Sequence, residues 1–135
     1  MKGIKNKKNA FTLVELLAVI VILGIIFTIA TFSIGSVINK SEKETFEISA
    51  NKLLKAANQY YLTNKLDGDY FIEIEFVVNE NQMISGTKIL NFDGKIPNSG
   101  SSVKINNRGQ VKLNITNGKF IAIKDYDDNY ISITE

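Results

Sequence analysis

Residues 16–38 form an apolar run without a single charged side chain. As an α-helix rising about 1.5 Å per residue, the run would extend roughly 35 Å, which is enough to cross a bilayer core of about 30 Å. A secretory signal has a shorter apolar region, of about 7 to 15 residues, followed by a cleavage site of small residues. The run therefore predicts a membrane-spanning helix. Four lysines precede it, and they predict a cytoplasmic N-terminal end with the chain after Asn39 outside.

One acidic residue, Glu15, lies at the start of this apolar run. A carboxylate inside a membrane is costly unless it finds a partner or reaches the interface, so such acids often mark functional positions. The structural interpretation is that Glu15, which follows the lysines closely, extends its side chain to the lipid head groups. The residues around Glu15 favour a functional interpretation instead.

The string Lys7-Lys8-Asn9-Ala10-Phe11-Thr12-Leu13-Val14-Glu15-Leu16-Leu17 resembles the class III signal of type IV pilins and pseudopilins. In that family a membrane-embedded peptidase cuts just before the phenylalanine, usually after glycine, and the new amine is commonly methylated. The resemblance implies cleavage between Ala10 and Phe11 and N-methylation of Phe11. It also implies an assembly segment that includes Thr12, Leu13, Val14 and Glu15. Because Ala10 replaces the usual glycine with the next smallest side chain, we expect cleavage to persist at a lower rate.

Cleavage would give Glu15 a partner, since it creates a cationic α-amine on Phe11. When identical helices bundle with a stagger, the carboxylate of one copy can meet the amine of its neighbour. Opposite charges about 4 Å apart gain roughly 4 kcal/mol at an effective dielectric of 20, against about 1 kcal/mol in water. Only a register that supplies this partner is tolerated, because an unpaired carboxylate among apolar side chains is expensive.

From Asn39 onward the apolar residues recur at steps of three and four, which predicts an amphipathic continuation of the same helix. Its predicted inward stripe consists of Phe46, Ala50, Leu53, Ala57, Tyr60 and Tyr61. The helix should end at Asp67-Gly68-Asp69, where glycine can adopt the left-handed conformation that stops helices. A helix from residue 11 to residue 66 could reach roughly 80 Å, which predicts a protruding stem below a small cap, the lollipop shape of pilins.

The chain beyond the helix is rich in β-branched and aromatic residues and predicts an antiparallel sheet. Short strands are predicted at residues 103–105, 111–115, 120–123 and 130–133, with residues 70–78 either a strand or a linker. The sheet should cover the helix stripe with one face, carrying Val103, Ile105, Val111, Leu113, Ile115, Ile121 and Ile123. The predicted fold class is thus α+β. Its parts are a leader (1–10), a transmembrane assembly helix (11–38), an amphipathic continuation (39–67) and a β-rich domain (68–135).

Catalytic and metal chemistry have little support in this sequence. Histidine and cysteine are absent, which excludes the commonest nucleophile–base pairs and zinc sites. Asp125, Asp127 and Asp128 concentrate oxygen ligands in one loop and form a candidate calcium site, although their spacing lacks the EF-hand pattern. We therefore expect no cofactor and no enzymatic activity, with a hydrated acidic turn favoured over bound calcium.

Nucleic-acid binding is weakly supported. The formal net charge is +2, but removal of the four leader lysines leaves −2, whereas DNA binding needs a concentrated cationic face. The aromatic residues Tyr60, Tyr61, Tyr70, Phe71 and Phe120 would suit stacking on single-stranded DNA, but core packing is the better interpretation of Tyr60 and Phe120.

The sequence as a whole predicts a prepilin, the structural subunit of a type IV pilus-like filament or fimbrium. It would be stored in the cytoplasmic membrane and then built into a cell-surface filament. Its expected partners are copies of itself, a prepilin peptidase, an assembly ATPase with its platform protein, and minor pilins. One alternative is a pseudopilin of a type II secretion or competence DNA-uptake machine. Another is a single-pass anchored extracellular binding protein, and a membrane-tethered enzyme is the least favoured.

Overall fold

The computed structural model describes Gly3, residues 12–66 and residues 71–135 of the chain. A single long helix, α1 (Leu13–Leu66), precedes seven short strands. The strands are β1 (Ile74–Asn79), β2 (Gln82–Ser85), β3 (Lys88–Leu90), β4 (Ser102–Ile105), β5 (Val111–Thr116), β6 (Ile121–Lys124) and β7 (Ser132–Thr134). The chain divides into two compact units, Met1–Lys40 and Ser41–Glu135, and α1 contributes residues to both.

The described part of the first unit is the apolar beginning of α1. By length and composition, the helix segment Leu13–Lys65 qualifies as a candidate membrane span, and it is the one such segment among the described residues. Large apolar side chains on every side of this part are exposed, including Leu13 at 84% and Val14 at 72%. A helix that is apolar all round is stable only when lipid or other helices cover it. This unit therefore has no apolar core of its own among its described residues.

The second unit holds an antiparallel sheet with the strand order β3-β2-β1-β4-β5-β6-β7. Two meanders, β1–β2–β3 and β4–β5–β6–β7, join side by side because β1 pairs with β4 through Phe76↔Val103. The connection from β3 to β4 returns the chain from one edge to the middle of the sheet. Lys52 of α1 meets this connection at Asp93, with Nζ and Oδ2 3.5 Å apart.

The core of the second unit lies between α1 and one face of the sheet, which confirms the predicted α+β class. From the helix, Phe46, Ala50, Leu53, Ala57 and Tyr61 are buried, and Tyr60 is half-buried against them. From the sheet, the buried residues include Phe76, Met83, Val103, Ile105, Val111, Leu113, Ile115 and Ala122. Aromatic contacts tie the two layers together, since the rings of Phe46 and Phe120 stack with centroids 6.1 Å apart.

Strand β6 presents the opposite face from the one predicted. Ile121 and Ile123 are 38% and 47% exposed, so their prediction as core residues was wrong. Ala122 and Lys124 point inward instead, because Ala122 pairs with Ile115 and Lys124 with Leu113, both of which face the core. A one-residue change of register reverses every side chain of a strand. Phe120 takes the core position at the start of this strand and is fully buried.

The inward Lys124 is satisfied by backbone carbonyls. Its ammonium donates hydrogen bonds to the carbonyl oxygens of Val111 and Asp125 at 3.1 and 3.0 Å. A buried ammonium without such partners would be strongly unfavourable. The aliphatic stem of Lys124 therefore fills the sheet face while its charge reaches acceptors at the end of the strand.

We predict that Leu53→Ala and Leu62→Ala differ in their effect on the free energy of unfolding, because the two residues lie on different faces of α1. Leu53 is fully buried, so its truncation removes apolar burial and leaves a cavity, at a cost of about 2–5 kcal/mol in the free energy of unfolding. Leu62 lies on the same helix but is 57% exposed, and its truncation should cost less than about 0.5 kcal/mol. Urea unfolding of the detergent-solubilised full chain measures both values. Equal losses for the two variants would contradict the described core.

Candidate functional site

Thr12 and Glu15 form a reciprocal pair of hydrogen bonds at the start of α1. The backbone N–H of Thr12 donates to Glu15 Oε2 at 3.0 Å, and the backbone N–H of Glu15 donates to Thr12 Oγ1 at 3.3 Å. Leu16 donates its N–H to the carbonyl of Thr12 at 3.2 Å, which is the first hydrogen bond of the helix. This arrangement is a capping box, with Thr12 as the N-cap and Glu15 three residues later. The predicted processing site, Ala10 and Phe11, lies outside the described residues.

The capping box gives Glu15 a partner within its own chain. From the sequence, only the lipid interface and a neighbouring copy were predicted as partners of Glu15, and the Thr12 backbone was missed. The signal was present, because threonine followed three residues later by glutamate, directly before an apolar run, is a helix-start pattern. Among the described residues, only one of the two carboxylate oxygens, Oε2, accepts a hydrogen bond.

The apolar part of α1 that follows the capping box is exposed along its length, and its threonine hydroxyls form hydrogen bonds within the helix. The hydroxyl of Thr28 donates to the carbonyl of Gly24 at 2.8 Å, and that of Thr31 donates to the carbonyl of Phe27 at 2.8 Å. These hydroxyls are therefore satisfied within the helix and do not require water. The result is a lipid-compatible surface in which Glu15 is the one ionisable side chain from Thr12 to Ile38.

The acidic loop considered as a calcium site uses its carboxylates for other contacts. Asp125 accepts from the ammonium of Lys112 at 3.2 Å and from the backbone N–H of Tyr126 at 2.8 Å. Asp128 accepts from the backbone N–H of Asp125 at 2.9 Å, and Asp127 accepts from the side-chain amide of Gln110 at 3.3 Å. Within the described ranges, no group of three or more acidic, histidine or cysteine side chains is arranged to hold a metal ion. These contacts order the β6–β7 turn.

The aromatic residues considered as a stacking platform belong largely to the core. Phe120 is fully buried, and Tyr60 packs edge-on against Phe76 with ring centroids 5.0 Å apart. Tyr61 is buried and contacts Phe71 edge-on at 4.9 Å. Tyr70 lies outside the described residues. The four described candidates are Tyr60, Tyr61, Phe71 and Phe120. Their rings stabilise the contact between α1 and the sheet and do not form an open platform.

We predict a pH-dependent contribution of Asp125 to stability. The backbone N–H of Tyr126, followed by the hydrogen bond from Lys112, lowers the pKa of Asp125 below its ordinary value of 3.8. A carboxyl whose pKa is lowered by folding stabilises the native state above its unfolded pKa, and this contribution disappears as the pH falls through the folded pKa. Asp125→Asn should therefore lower the melting temperature at pH 7, and this effect should shrink as the pH falls below about 3.8 and through the lowered pKa.

Asp93→Asn is the matched control for this experiment, because Asp93 is exposed and its carboxylate contacts, among the described residues, only the ammonium of Lys52, at 3.5 Å. Thermal unfolding of the full chain between pH 2 and pH 7 gives the comparison. A difference between the Asp125 variant and the unmodified chain that is constant over this range would contradict the assignment.

Comparison with known proteins identifies the N-terminal segment. The family model of the prokaryotic N-terminal methylation motif matches residues 5–31, which is about a fifth of the chain. No curated protein and no solved structure matches the chain. The matched segment contains the capping box and most of the apolar run that follows it. Residues 5–31 therefore carry the class III signal of type IV pilins and pseudopilins.

Proposed function

We propose that this chain is the precursor of a structural subunit of a type IV pilus-like filament. The methylation motif at residues 5–31 is the observation that carries the proposal. In this proposal the peptidase cuts before Phe11, so that the mature chain begins with an amine directly ahead of the capping box. The apolar part of α1 then anchors the subunit in the membrane before assembly and packs helix against helix in the filament.

The exposed apolar surface of the first unit supports this two-stage use. In lipid, the acyl chains cover the exposed side chains of residues 13–38, and in a filament the same surface is covered by other copies. The second unit keeps its own buried core, so its fold does not depend on which environment covers the apolar helix. A subunit can therefore leave the membrane without unfolding its external domain.

Glu15 sets the register of the proposed helix bundle. In the proposed bundle, the second carboxylate oxygen, Oε1, accepts the amine of a neighbouring copy while Oε2 keeps the Thr12 N–H. Such a pair is selective because a shifted neighbour would leave the carboxylate without its cation among apolar side chains. Phe11 directly precedes Thr12, so the amine of the same chain is the competing partner.

The resemblance to prepilins implies a set of partners for the proposed subunit. A prepilin peptidase removes residues 1–10, and an assembly ATPase with its platform protein supplies the energy for extraction from the membrane. Copies of the same chain and minor pilins complete the filament. The lysine-rich leader keeps the N-terminal end in the cytoplasm and leaves the second unit outside.

The role proposed for the chain is structural and requires neither an enzymatic site nor a cofactor. Its exposed acids make separate contacts, as Glu75 meets Lys104 at 3.4 Å and Glu73 accepts from the phenol of Tyr126 at 3.2 Å. The carboxylates of Glu73 and Glu75 therefore form separate contacts at the surface of the sheet. Calcium is not required by the proposal, since the carboxylates of Asp125, Asp127 and Asp128 are engaged by protein donors.

Two further assignments share parts of this evidence. A pseudopilin of a secretion or competence machine would have the same signal and the same apolar helix, and it would differ in its partner machinery and in the length of its filament. A permanently anchored extracellular binding protein would retain its leader. The N-terminal residue of the mature protein separates the anchored protein from both filament classes.

The first test of the proposal is cleavage by a prepilin peptidase. We predict that co-expression of the full chain with this enzyme yields a mature protein that begins with N-methylated Phe11, as measured by intact-mass and N-terminal peptide mass spectrometry. Ala10→Gly should be cleaved faster than the unmodified chain, because glycine is the usual residue before the cut. Retention of Met1 or Lys2 in both chains would contradict the proposal.

The second test is neutralisation of Glu15. Glu15→Gln keeps the size of the side chain but removes its charge, and it should leave membrane insertion unchanged while lowering the yield of sheared filaments on the order of tenfold or more. Glu15→Ala should behave in the same way. Glu47→Gln is the matched control, because Glu47 is an exposed glutamate on α1 whose carboxylate has no partner among the described residues. Normal filament yield from the Glu15 variants would contradict the pairing mechanism.

A further inference from the structure

A groove of about 370 Å³ lies in the second unit, beside the first residues that α1 contributes to this unit. Its walls are residues 41–49 of α1, residues 95–97 of the connection between β3 and β4, and the β5–β6 turn. The floor is apolar, because Phe46, Pro97 and Ile115 line the groove and are buried. A groove of this volume is large enough to hold a small ligand.

Three charged side chains line this groove, and their charges do not cancel. The ammonium of Lys119 pairs with the carboxylate of Glu42, which links the β5–β6 turn to α1. Lys95 is exposed, and among the described residues its ammonium has no ion-pair partner. Two ammonium groups and one carboxylate leave one surplus positive charge beside an apolar floor. An anion with one negative charge and an apolar part would complement both features.

The groove begins close to the end of the apolar run of α1. Ser41, which lines the groove, follows Ile38 by three residues, and three residues span at most roughly 11 Å of chain. In the membrane-anchored stage of the proposed function, the apolar run lies in the hydrocarbon core, and the head-group layer extends roughly 5–8 Å beyond that core. Chain connectivity alone therefore keeps this end of the groove within reach of phospholipid head groups.

We propose that the groove binds one anionic phospholipid while the subunit is stored in the membrane. The phosphodiester contacts the ammonium groups of Lys95 and Lys119, and the glycerol with the first acyl methylenes covers Phe46 and Pro97. Binding neutralises the surplus charge of the groove, whereas a zwitterionic phospholipid brings a cation of its own and leaves that charge uncompensated. The inference goes beyond the proposed filament role and rests only on its membrane-anchored stage.

The experiment measures which lipid the full chain retains. The chain is reconstituted into vesicles of equal parts phosphatidylglycerol and phosphatidylcholine and extracted with a mild detergent, and native mass spectrometry then counts the lipids bound to each subunit. Lys95→Gln removes the surplus charge, and Lys95→Arg keeps it. Lys43→Gln is the matched control, because Lys43 is an exposed lysine of α1 near the same end of the apolar run but does not line the groove.

We expect the unmodified chain to retain phosphatidylglycerol in preference to phosphatidylcholine. Lys95→Gln should lower this preference roughly fivefold, the factor that one lysine contributes near an anionic lipid surface. Lys95→Arg and Lys43→Gln should keep the preference. Equal retention of the two lipids by the unmodified chain, or equal losses in Lys95→Gln and Lys43→Gln, would overturn the inference, because the effect would then belong to the general surface charge.

Inorganic phosphate distinguishes a lipid site from a simple phosphate site. Added to the extracted protein, it should not displace phosphatidylglycerol, since it lacks the apolar part that covers the groove floor. Displacement by inorganic phosphate would overturn the assignment to a lipid. Failure of the unmodified chain to enter the vesicles would instead contradict the membrane-anchored stage of the proposed function, so the two failures are distinguishable.

Discussion

A carboxylate at the start of an apolar helix needs a hydrogen-bond partner, and the chain supplies one in the backbone N–H of Thr12. This contact fixes where α1 begins and which way Glu15 points. Among the described residues the contact involves only one carboxylate oxygen, Oε2, and the other side chains of the helix up to Ile38 carry no charge. The proposed assembly depends on the Glu15 carboxylate, because dispersion contacts among leucine, isoleucine and valine side chains tolerate many helix registers and a single charge does not.

The two units stabilise their parts of the helix α1 in different ways. In the second unit, Leu53 and Phe46 bury their side chains against the sheet, and this core stabilises the second unit by itself. In the first unit the described helix buries no apolar surface, so its stability comes from the surrounding lipid or from neighbouring helices. This separation would allow the proposed use of one chain first in a membrane and then in a filament.

The elements that sequence analysis predicted best were those with a strong local signal. The α1 helix and the buried faces of β4 and β5 follow from periodicity, and Val103 and Leu113 lie in the core as predicted. The prediction for the inward face of β6 was wrong, because the orientation of this strand is set by pairing with β5 and by burial of Phe120. A count of isoleucines reveals neither the pairing nor the burial. The short segment around Met83 was interpreted only as apolar residues between turns, yet pairing with β1 makes it a strand. At the candidate site, the methylation motif and Glu15 were identified from the sequence, whereas the bond between Glu15 and Thr12 was missed, although the spacing of threonine and glutamate before an apolar run predicts it.

The central claim is that the Glu15 carboxylate pairs with the amine of another copy. The direct measurement uses filaments assembled from an equal mixture of ¹⁴N-labelled and ¹⁵N-labelled subunits and treated with an apolar carbodiimide, which condenses a carboxylate and a neighbouring amine to an amide. Mass spectrometry of the linked peptides then reports whether the Phe11 amine and the Glu15 carboxyl come from one chain or from two. The account predicts linked peptides of mixed isotope composition. Links found only within single-label chains, or no link at all in intact filaments, would contradict it.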